Sequence, residues 1–321
     1  MENYDYLVMS GGGSKGFLQM GALVFIERWL YSEYKKSIKT HFKGFAGTSV
    51  GALLIFCVVC GLSTTEMIQI SARHLPLILT LDFSLVLLQE THGLRDNESI
   101  RNCIQEIFYQ STGRRDMSFL EFYQVTQKEF TVCACNVCIS DIAFFNRFTT
   151  PTVSITDALL ASMAVPFVFA PVTIGDQLFI DGGCQLNVPL SIFPVDRTLA
   201  LWIRDNLQPI KPTNLVELSK LIFRSFYYSQ DTVIKECYRE QRRNIIQLFA
   251  PESTFLLAPV TTNALPIRRG YLTAGLHLLT FTKSKLVCLF WLITDQLYQY
   301  IVYLFVQWCV SKTMFLSLYS V

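Results

Sequence analysis

The chain has 321 residues, of which 51% are apolar and 16% are charged, and its formal net charge is +2. The chain is nearly neutral and has no long basic run. It therefore lacks the positively charged surface that nucleic-acid binding requires, and we expect no nucleic-acid partner. The apolar content is high for a soluble protein, which indicates that some apolar residues serve something other than a core.

The start of the chain alternates between predicted strands and helices. Residues 4–9 form an apolar strand-like stretch, and apolar residues follow at helical spacing over 17–34. Residues 42–46 predict a second strand, and the strongly apolar stretch 50–60 predicts a second helix. This βαβα pattern predicts an α/β fold with a mostly parallel central sheet covered by helices.

The remaining elements are predicted in the same way: helices over 96–109, 156–164 and 214–243, and strands over 130–139, 142–148, 172–180, 199–203 and 245–249. Pro166 ends the helix over 156–164, and the hairpin over 172–180 leads directly to Asp181. The apolar stretch 75–88 fits a helix or a lid over a site.

Gly47-Thr48-Ser49-Val50-Gly51 joins the second strand to the second helix. A GxSxG turn at such a junction is so tight that its flanking positions favour glycine, and it exposes the serine as a nucleophile. The alternative is a glycine-flanked turn whose serine only caps the helix. Ser49, with Gly47 and Gly51 beside it, is the candidate nucleophile.

A glycine-rich loop follows the first strand and consists of Gly11, Gly12, Gly13, Ser14, Lys15 and Gly16. Its spacing fits a dinucleotide site, but that site needs an acidic residue at the end of the second strand, where Ser49 stands instead. Consecutive amides at a helix N-terminus suit an oxyanion hole, and we predict that role for this loop. Lys15 either adds positive charge or fixes the loop.

Asp181, followed by Gly182 and Gly183, is the candidate base, since a carboxylate within reach of a serine hydroxyl can take its proton. The alternative is an aspartate that only forms a turn. A histidine-containing triad is a competing mechanism. The chain order of an α/β-hydrolase leaves only His277 for it, inside an apolar, helix-like stretch.

Ten cysteines are present, and Cys133, Cys135 and Cys138 have a spacing that invites a metal interpretation. Their surroundings alternate like a strand, without a nearby histidine or second cysteine pair, so we predict buried free thiols and neither metal nor cofactor. The chain opens with acidic residues rather than a signal peptide, and free thiols suit a reducing compartment, so we expect an intracellular protein.

Residues 285–310 are almost entirely apolar, apart from a narrow polar stripe formed by Asp295, Gln299, Tyr303 and Gln307. Three interpretations stay open: an interfacial or embedded membrane helix, a single-pass spanning helix, and a helix packed on the protein's own core. We expect a membrane-associated protein.

With these motifs in place, the chain resembles the patatin-like phospholipase family over about residues 4–205. The loop resembles that family's oxyanion loop, the Ser49 turn its nucleophile elbow, and Asp181-Gly182-Gly183 with Asn187-Val188-Pro189 its base motif. Stretches 93–96 and 161–167 also agree.

The resemblance implies a three-layer α/β/α domain in which Ser49 and Asp181 form a dyad that hydrolyses acyl esters of lipids without metal. Phospholipids or other acyl lipids, met at a membrane surface, are the implied substrates, and phospholipase A or lysophospholipase activity is the expected type. The alternative is a catalytically silent lipid-binding or scaffold protein. Residues 206–284 form an extension without family resemblance, whose role stays open.

Overall fold

The computed structural model describes residues 4–79, 89–205, 243–250 and 265–281, together with short stretches between 209 and 234. Within these residues, eight strands form one mixed sheet, and β3 and β6 form a separate pair. The strands are β1 (Tyr6–Met9), β2 (Gly44–Thr48), β3 (Gly93–Arg95), β4 (Glu129–Asn136), β5 (Asp141–Phe145), β6 (Phe167–Phe169), β7 (Val172–Ile174), β8 (Gln177–Asp181), β9 (Thr198–Asp205) and β10 (Ile245–Ala250).

Five of these strands, in the order β10-β9-β1-β2-β4, run parallel to one another. The other three, β5, β8 and β7, continue the sheet beyond β4 in antiparallel pairs. The parallel strands are apolar on both faces because connections between parallel strands place other elements over the sheet. The predicted α/β fold with a mostly parallel sheet is confirmed, with this antiparallel edge as an addition.

The two faces of the sheet bury different sets of side chains. Leu7, Met9 and Phe45 belong to the large core that the helices cover. On the opposite face Val8 and Trp202 belong to a smaller cluster, which is covered among the described residues by residues 188–195 and Ile234. Consecutive residues of a strand therefore belong to different cores, because successive side chains of a strand point to opposite faces of the sheet.

The helices are α1 (Gly16–Tyr34), α2 (Ile38–His41), α3 (Val50–Cys60), α4 (Thr64–Leu79), α5 (Glu98–Thr112), α6 (Phe119–Thr126), α7 (Ile155–Met163) and α8 (Leu265–Phe281). The apolar face predicted for α5 is buried, with Ile104 and Phe108 fully enclosed. Helix α6 was not predicted from periodicity, although Ser118 and Glu121 form a capping box that marks its start. Helix α4 includes the first part of the open segment 75–88, and residues 80–88 lie outside the described residues.

The extension beyond residue 205 takes part in this fold. Strand β10 pairs with β9 at the edge of the sheet, and α8 packs on α1, where Tyr271 meets Phe25 edge to face with ring centres 5.0 Å apart. Leu278 is 2% exposed and belongs to the main core. Part of the extension is therefore integral to the core.

Two sequence predictions concern residues that the structure does not cover. The predicted helix over 214–243 falls largely, and the segment 285–310 wholly, outside the described residues. Among the residues that are described, no helix combines the length and apolar character needed to cross a bilayer.

Candidate active site

Four strands of the sheet, β1, β2, β4 and β8, bring the sequence motifs to one place. Strands β1 and β2 are parallel neighbours, so the loop after Met9 and the turn after Thr48 leave the sheet at the same edge. Strand β4 pairs with β2 up to Cys133, opposite Thr48, and with β8 from the next residue, where Ala134 lies opposite Asp181. The C-terminal ends of β2 and β8 therefore meet along β4, and Ser49 and Asp181 become neighbours.

The hydroxyl of Ser49 donates a hydrogen bond to Oδ2 of Asp181 over 2.6 Å. Oδ1 of the same carboxylate accepts from the amide of Gly183 at 2.7 Å, which fixes the orientation of the carboxylate. Ser49 is 4% exposed and Asp181 is fully buried, so little water competes for this contact.

The turn around Ser49 is strained and requires its glycines. Ser49 has φ 54° and ψ −131°, a conformation that costs a residue with a side chain about 1–3 kcal/mol. A β-carbon on Gly51 would lie 2.4 Å from the carbonyl oxygen of Ser10, and one on Gly47 would lie 2.6 Å from the amide nitrogen of Ala52. The sharp turn thus needs glycine on both sides of the serine for steric reasons.

The amide of Ser49 already has a partner, the side chain of the fully buried Ser162. It donates to Oγ of Ser162 over 2.8 Å. Donors for an oxyanion must then come from elsewhere, and the glycine loop lies beside Ser49. A β-carbon on Gly11 would be 3.1 Å from that of Ser49 and 2.7 Å from Oδ1 of Asn187.

The loop turns sharply into helix α1. Gly13 has φ 56°, which favours glycine, and Gly13–Lys15 form a single helical turn that continues into α1 at Gly16. The positive end of the α1 dipole therefore points toward the site. A β-carbon on Gly12 or Gly16 would collide with Ile203 or Val50 respectively, so the loop packs closely on both sides. Lys15 is 7% exposed, and its side chain is thus part of the packed loop.

Ser49 lines an open cavity whose empty space, with the solvent at its mouth included, is about 770 Å³. Its walls come from the glycine loop, α1, α3, α4, α5 and the segment after α7, and they are largely apolar; they include Phe17, Met20, Leu53, Ile100, Val165 and Phe169. His74 is a polar exception, and its Nε2 lies 2.6 Å from Oε2 of Glu106. Such a cavity suits an aliphatic chain.

His277, the histidine of the competing triad, lies on α8. Its Nε2 contacts the carbonyl oxygen of Arg243 at 2.9 Å, and burial lowers its pKa. The hydroxyl of Ser49 contacts the carboxylate of Asp181 and not a histidine, which favours the dyad over the triad.

The cysteines singled out in the sequence lie on and just after β4. Cys133 and Cys135 are buried, whereas Cys138 is exposed and its sulfur accepts from the amide of Leu178 at 3.3 Å. Burial raises the pKa of the Cys133 thiol, which keeps it protonated and apolar in character.

Ser162 and Asn187 also belong to the site, although sequence reasoning gave neither a role. Both stand in stretches that carried the family resemblance, and that resemblance was the sequence feature that could have pointed to them. Asn187 accepts from the amide of Gly11 at 3.3 Å through its backbone carbonyl. Asn187 is also 3% exposed, so it packs beneath the loop.

Acyl hydrolases that act through serine need a nucleophile, a base and oxyanion donors around one reacting carbon. The sheet brings side chains and amides of these kinds together at one edge.

A model of the Patatin-like phospholipase family matches residues 7–194, more than half of the chain. The chain therefore belongs to the patatin-like phospholipase family, a family of lipid hydrolases. The resemblance noted from the sequence motifs is confirmed.

Two viral proteins and one bacterial structure are similar to this chain. Uncharacterized protein R571 of Acanthamoeba polyphaga mimivirus is 27% identical over 242 residues, 70% of this chain and 77% of that protein. Probable lipid hydrolase 463L of Invertebrate iridescent virus 6 is 30% identical over 194 residues, 59% of this chain and 63% of that protein. The crystal structure of VipD from Legionella pneumophila matches with a TM-score of 0.53 at 14% identity, over 86% of this chain and 67% of VipD, and shows the shared fold.

Proposed function

We propose that the protein hydrolyses carboxylic-ester bonds of membrane lipids, as a phospholipase A or lysophospholipase, through a covalent acyl-Ser49 intermediate. The observation that carries this proposal is the 2.6 Å hydrogen bond from Ser49, which lines an apolar cavity, to the buried carboxylate of Asp181. Family membership and the name of the iridescent virus relative support the same reaction class.

In acylation, Oγ of Ser49 attacks the ester carbonyl carbon while Asp181 takes the hydroxyl proton. The carbonyl oxygen becomes an oxyanion, which needs donors already in place. The amides of Gly11, Lys15 and Gly16 donate to Asn187, Gly12 and Gly13 respectively. The remaining loop amides, those of Gly12, Gly13 and Ser14, are our candidates for the oxyanion hole.

Collapse of the tetrahedral intermediate breaks the ester bond, and Asp181 returns the proton to the departing alcohol oxygen. Water then enters, Asp181 takes one of its protons, and the resulting hydroxide oxygen attacks the acyl-Ser49 carbon. Release of the fatty acid returns a proton from Asp181 to Ser49. One carboxylate thus serves both half-reactions, and the cycle consumes one water.

The cavity supports a lipid as the substrate. One acyl chain fits along its apolar walls with the ester at Ser49, and each methylene removed from water contributes about 0.8 kcal/mol to binding. The polar headgroup then stays at the open mouth, facing a membrane surface. A hydrolase that meets its substrate in a leaflet gains from such an arrangement, since the chain only has to slide from lipid into the cavity.

Labelling with a fluorophosphonate, combined with a panel of a phospholipid, a lysophospholipid and a triacylglycerol, tests this proposal. We expect an adduct on Ser49, release of fatty acid from at least one substrate, loss of both in Ser49→Ala, and loss of turnover in Asp181→Asn. Asp157→Asn, which changes a carboxylate on α7 that pairs with Arg101, is the matched control for Asp181→Asn and keeps activity. A folded protein that binds lipid but gives neither adduct nor product would instead be the silent scaffold.

A further inference from the structure

The C-terminal turn of α7 contacts both members of the Ser49–Asp181 pair. Oγ of Ser162 accepts from the amide of Ser49 at 2.8 Å. Two residues further on, the carbonyl oxygen of Ala164 accepts from the amide of Asp181 at 2.9 Å. One short stretch of chain therefore holds the backbone of the nucleophile and the backbone of the base.

The hydroxyl of Ser162 uses its donor as well as its acceptor capacity. While it accepts from Ser49, it donates to the carbonyl oxygen of Cys133 over 2.5 Å. Cys133 lies on β4 opposite Thr48 and directly before Ala134, the partner of Asp181. Ser162 thus links the strained turn to the strand along which the nucleophile and the base meet.

Among the residues that the structure describes, no other group in the buried surroundings can replace the hydrogen bonds of the Ser162 hydroxyl. Ser162 is fully buried, as are Ala161 and Ala164 beside it, so water cannot replace the hydroxyl without displacing the packing. Without Ser162 Oγ, the Ser49 amide would be a buried donor lacking its partner, at a residue whose backbone is already strained. The turn would relax, and the nucleophile would move relative to Asp181.

We propose that Ser162 is a positioning residue, which fixes the backbone of Ser49 so that its hydroxyl stays aligned with Asp181 and with the carbonyl carbon under attack. This inference rests on the hydrolase function proposed above. Ser162 is not among the residues that line the cavity, and its hydroxyl bonds to the backbone of Ser49 and of Cys133. Its contribution is therefore to the rate of the chemical step and not to lipid binding.

The test compares three variants by steady-state kinetics on a soluble ester and by the rate of fluorophosphonate labelling. Ser162→Ala removes the hydroxyl. Ser162→Cys keeps a side chain of similar size, but its thiol is only a weak donor and acceptor. Thr156→Ala is the matched control, because Thr156 is equally buried on α7 and its hydroxyl bonds to Asp116 at 2.8 Å, at the other end of the helix from the site.

For Ser162→Ala we expect kcat and the labelling rate to fall by about 100-fold, with KM within about twofold, since small displacements of a reacting group have effects of this size. Ser162→Cys should be similarly impaired, and it serves as the reporter should the alanine variant not fold. Thr156→Ala should lose stability but keep its kcat per folded molecule.

Unchanged kcat in folded Ser162→Ala or Ser162→Cys, or a loss confined to KM, overturns the positioning role while the hydrolase proposal stands. A similar loss of kcat in Thr156→Ala also overturns it, because general loosening of α7 would then be the cause. Wild-type protein that neither labels nor hydrolyses an ester rejects the proposed function, and the positioning role falls with it.

Discussion

Gly270 of α8 lies against the backbone of Leu18 in α1: a β-carbon on Gly270 would stand 1.8 Å from the carbonyl oxygen of Leu18. The contact is reciprocal, since a β-carbon on Gly21 of α1 would stand 1.8 Å from the carbonyl oxygen of Ile267. The two helix backbones therefore touch, and only glycine fits at either position. Helix α1 begins at the glycine loop, so α8 supports the helix that carries the candidate oxyanion hole.

Gly270→Ala should destabilise the protein because the added methyl group forces the two helices apart. We expect a loss of about 1–3 kcal/mol in the free energy of unfolding, the usual cost of overpacking a core. Urea unfolding followed by circular dichroism measures it. Arg269→Ala, at the exposed neighbouring position, is the control, and equal stability of the two variants would contradict this account of the contact.

Ser49→Ala and Asp181→Asn should each lower kcat by about 10⁴-fold or more, and the double variant should be scarcely worse than either single one. The reason is that proton removal and attack are one event, so losing either group removes the whole of it. Values of kcat on a soluble ester for the wild type, the two single variants and the double variant measure this. If the loss of kcat in the double variant equalled the product of the two single losses, Asp181 would not act through Ser49.

Leu53→Trp should shift the preference toward short acyl chains, because Leu53 lines the cavity and a larger side chain fills part of it. We expect kcat/KM for a long-chain ester to fall by about tenfold or more, the value of two buried methylenes. An acetate ester should be affected far less. Leu120→Trp, at an exposed position on α6, is the control, and parallel losses on both esters would argue against this cavity as the acyl site.

Acid should weaken the fold partly through His277. Burial lowers the pKa of His277 in the folded protein, so below the unfolded value of about 6.5 the unfolded chain binds more protons and stability falls. Stability from this group is complete above that pH and is lost as the pH falls toward the folded pKa. Urea midpoints at pH 7.5 and 5.5 should differ more for the wild type than for His277→Gln. An equal or larger change in His277→Gln would refute this origin.

Deleting residues 285–321 tests the apolar segment 285–310, and it leaves α8 intact because that helix ends at Phe281. We expect the shortened protein to leave the membrane fraction, to keep activity on a soluble ester and to lose activity on vesicles, since the segment has the composition of a membrane helix. Fractionation and the two assays measure this. Unfolding of the shortened protein would favour packing of the segment on the core.

Much of the site was predictable because its determinants are local. A tight strand-to-helix turn imposes glycine at Gly47 and Gly51, and this requirement is visible along the chain without knowledge of the fold. The same holds for the run of small residues after β1 and for the apolar face of α5. The pairing of β3 with β6 was missed, since three residues are too few to show a period.

The sequence by itself determined the residue types, namely a serine on a glycine-flanked turn, a glycine loop and an aspartate, and with them the family. Only the tertiary structure decided which of these groups meet. Ser49 and Asp181 are 132 positions apart, and their contact depends on β2 and β8 pairing with successive parts of β4. The contact of Ser162 with Ser49 and the contact of Gly270 with Leu18 likewise depend on the tertiary structure. Such contacts arise from strand register and helix crossing, which combine distant segments and leave no local period for a sequence to display.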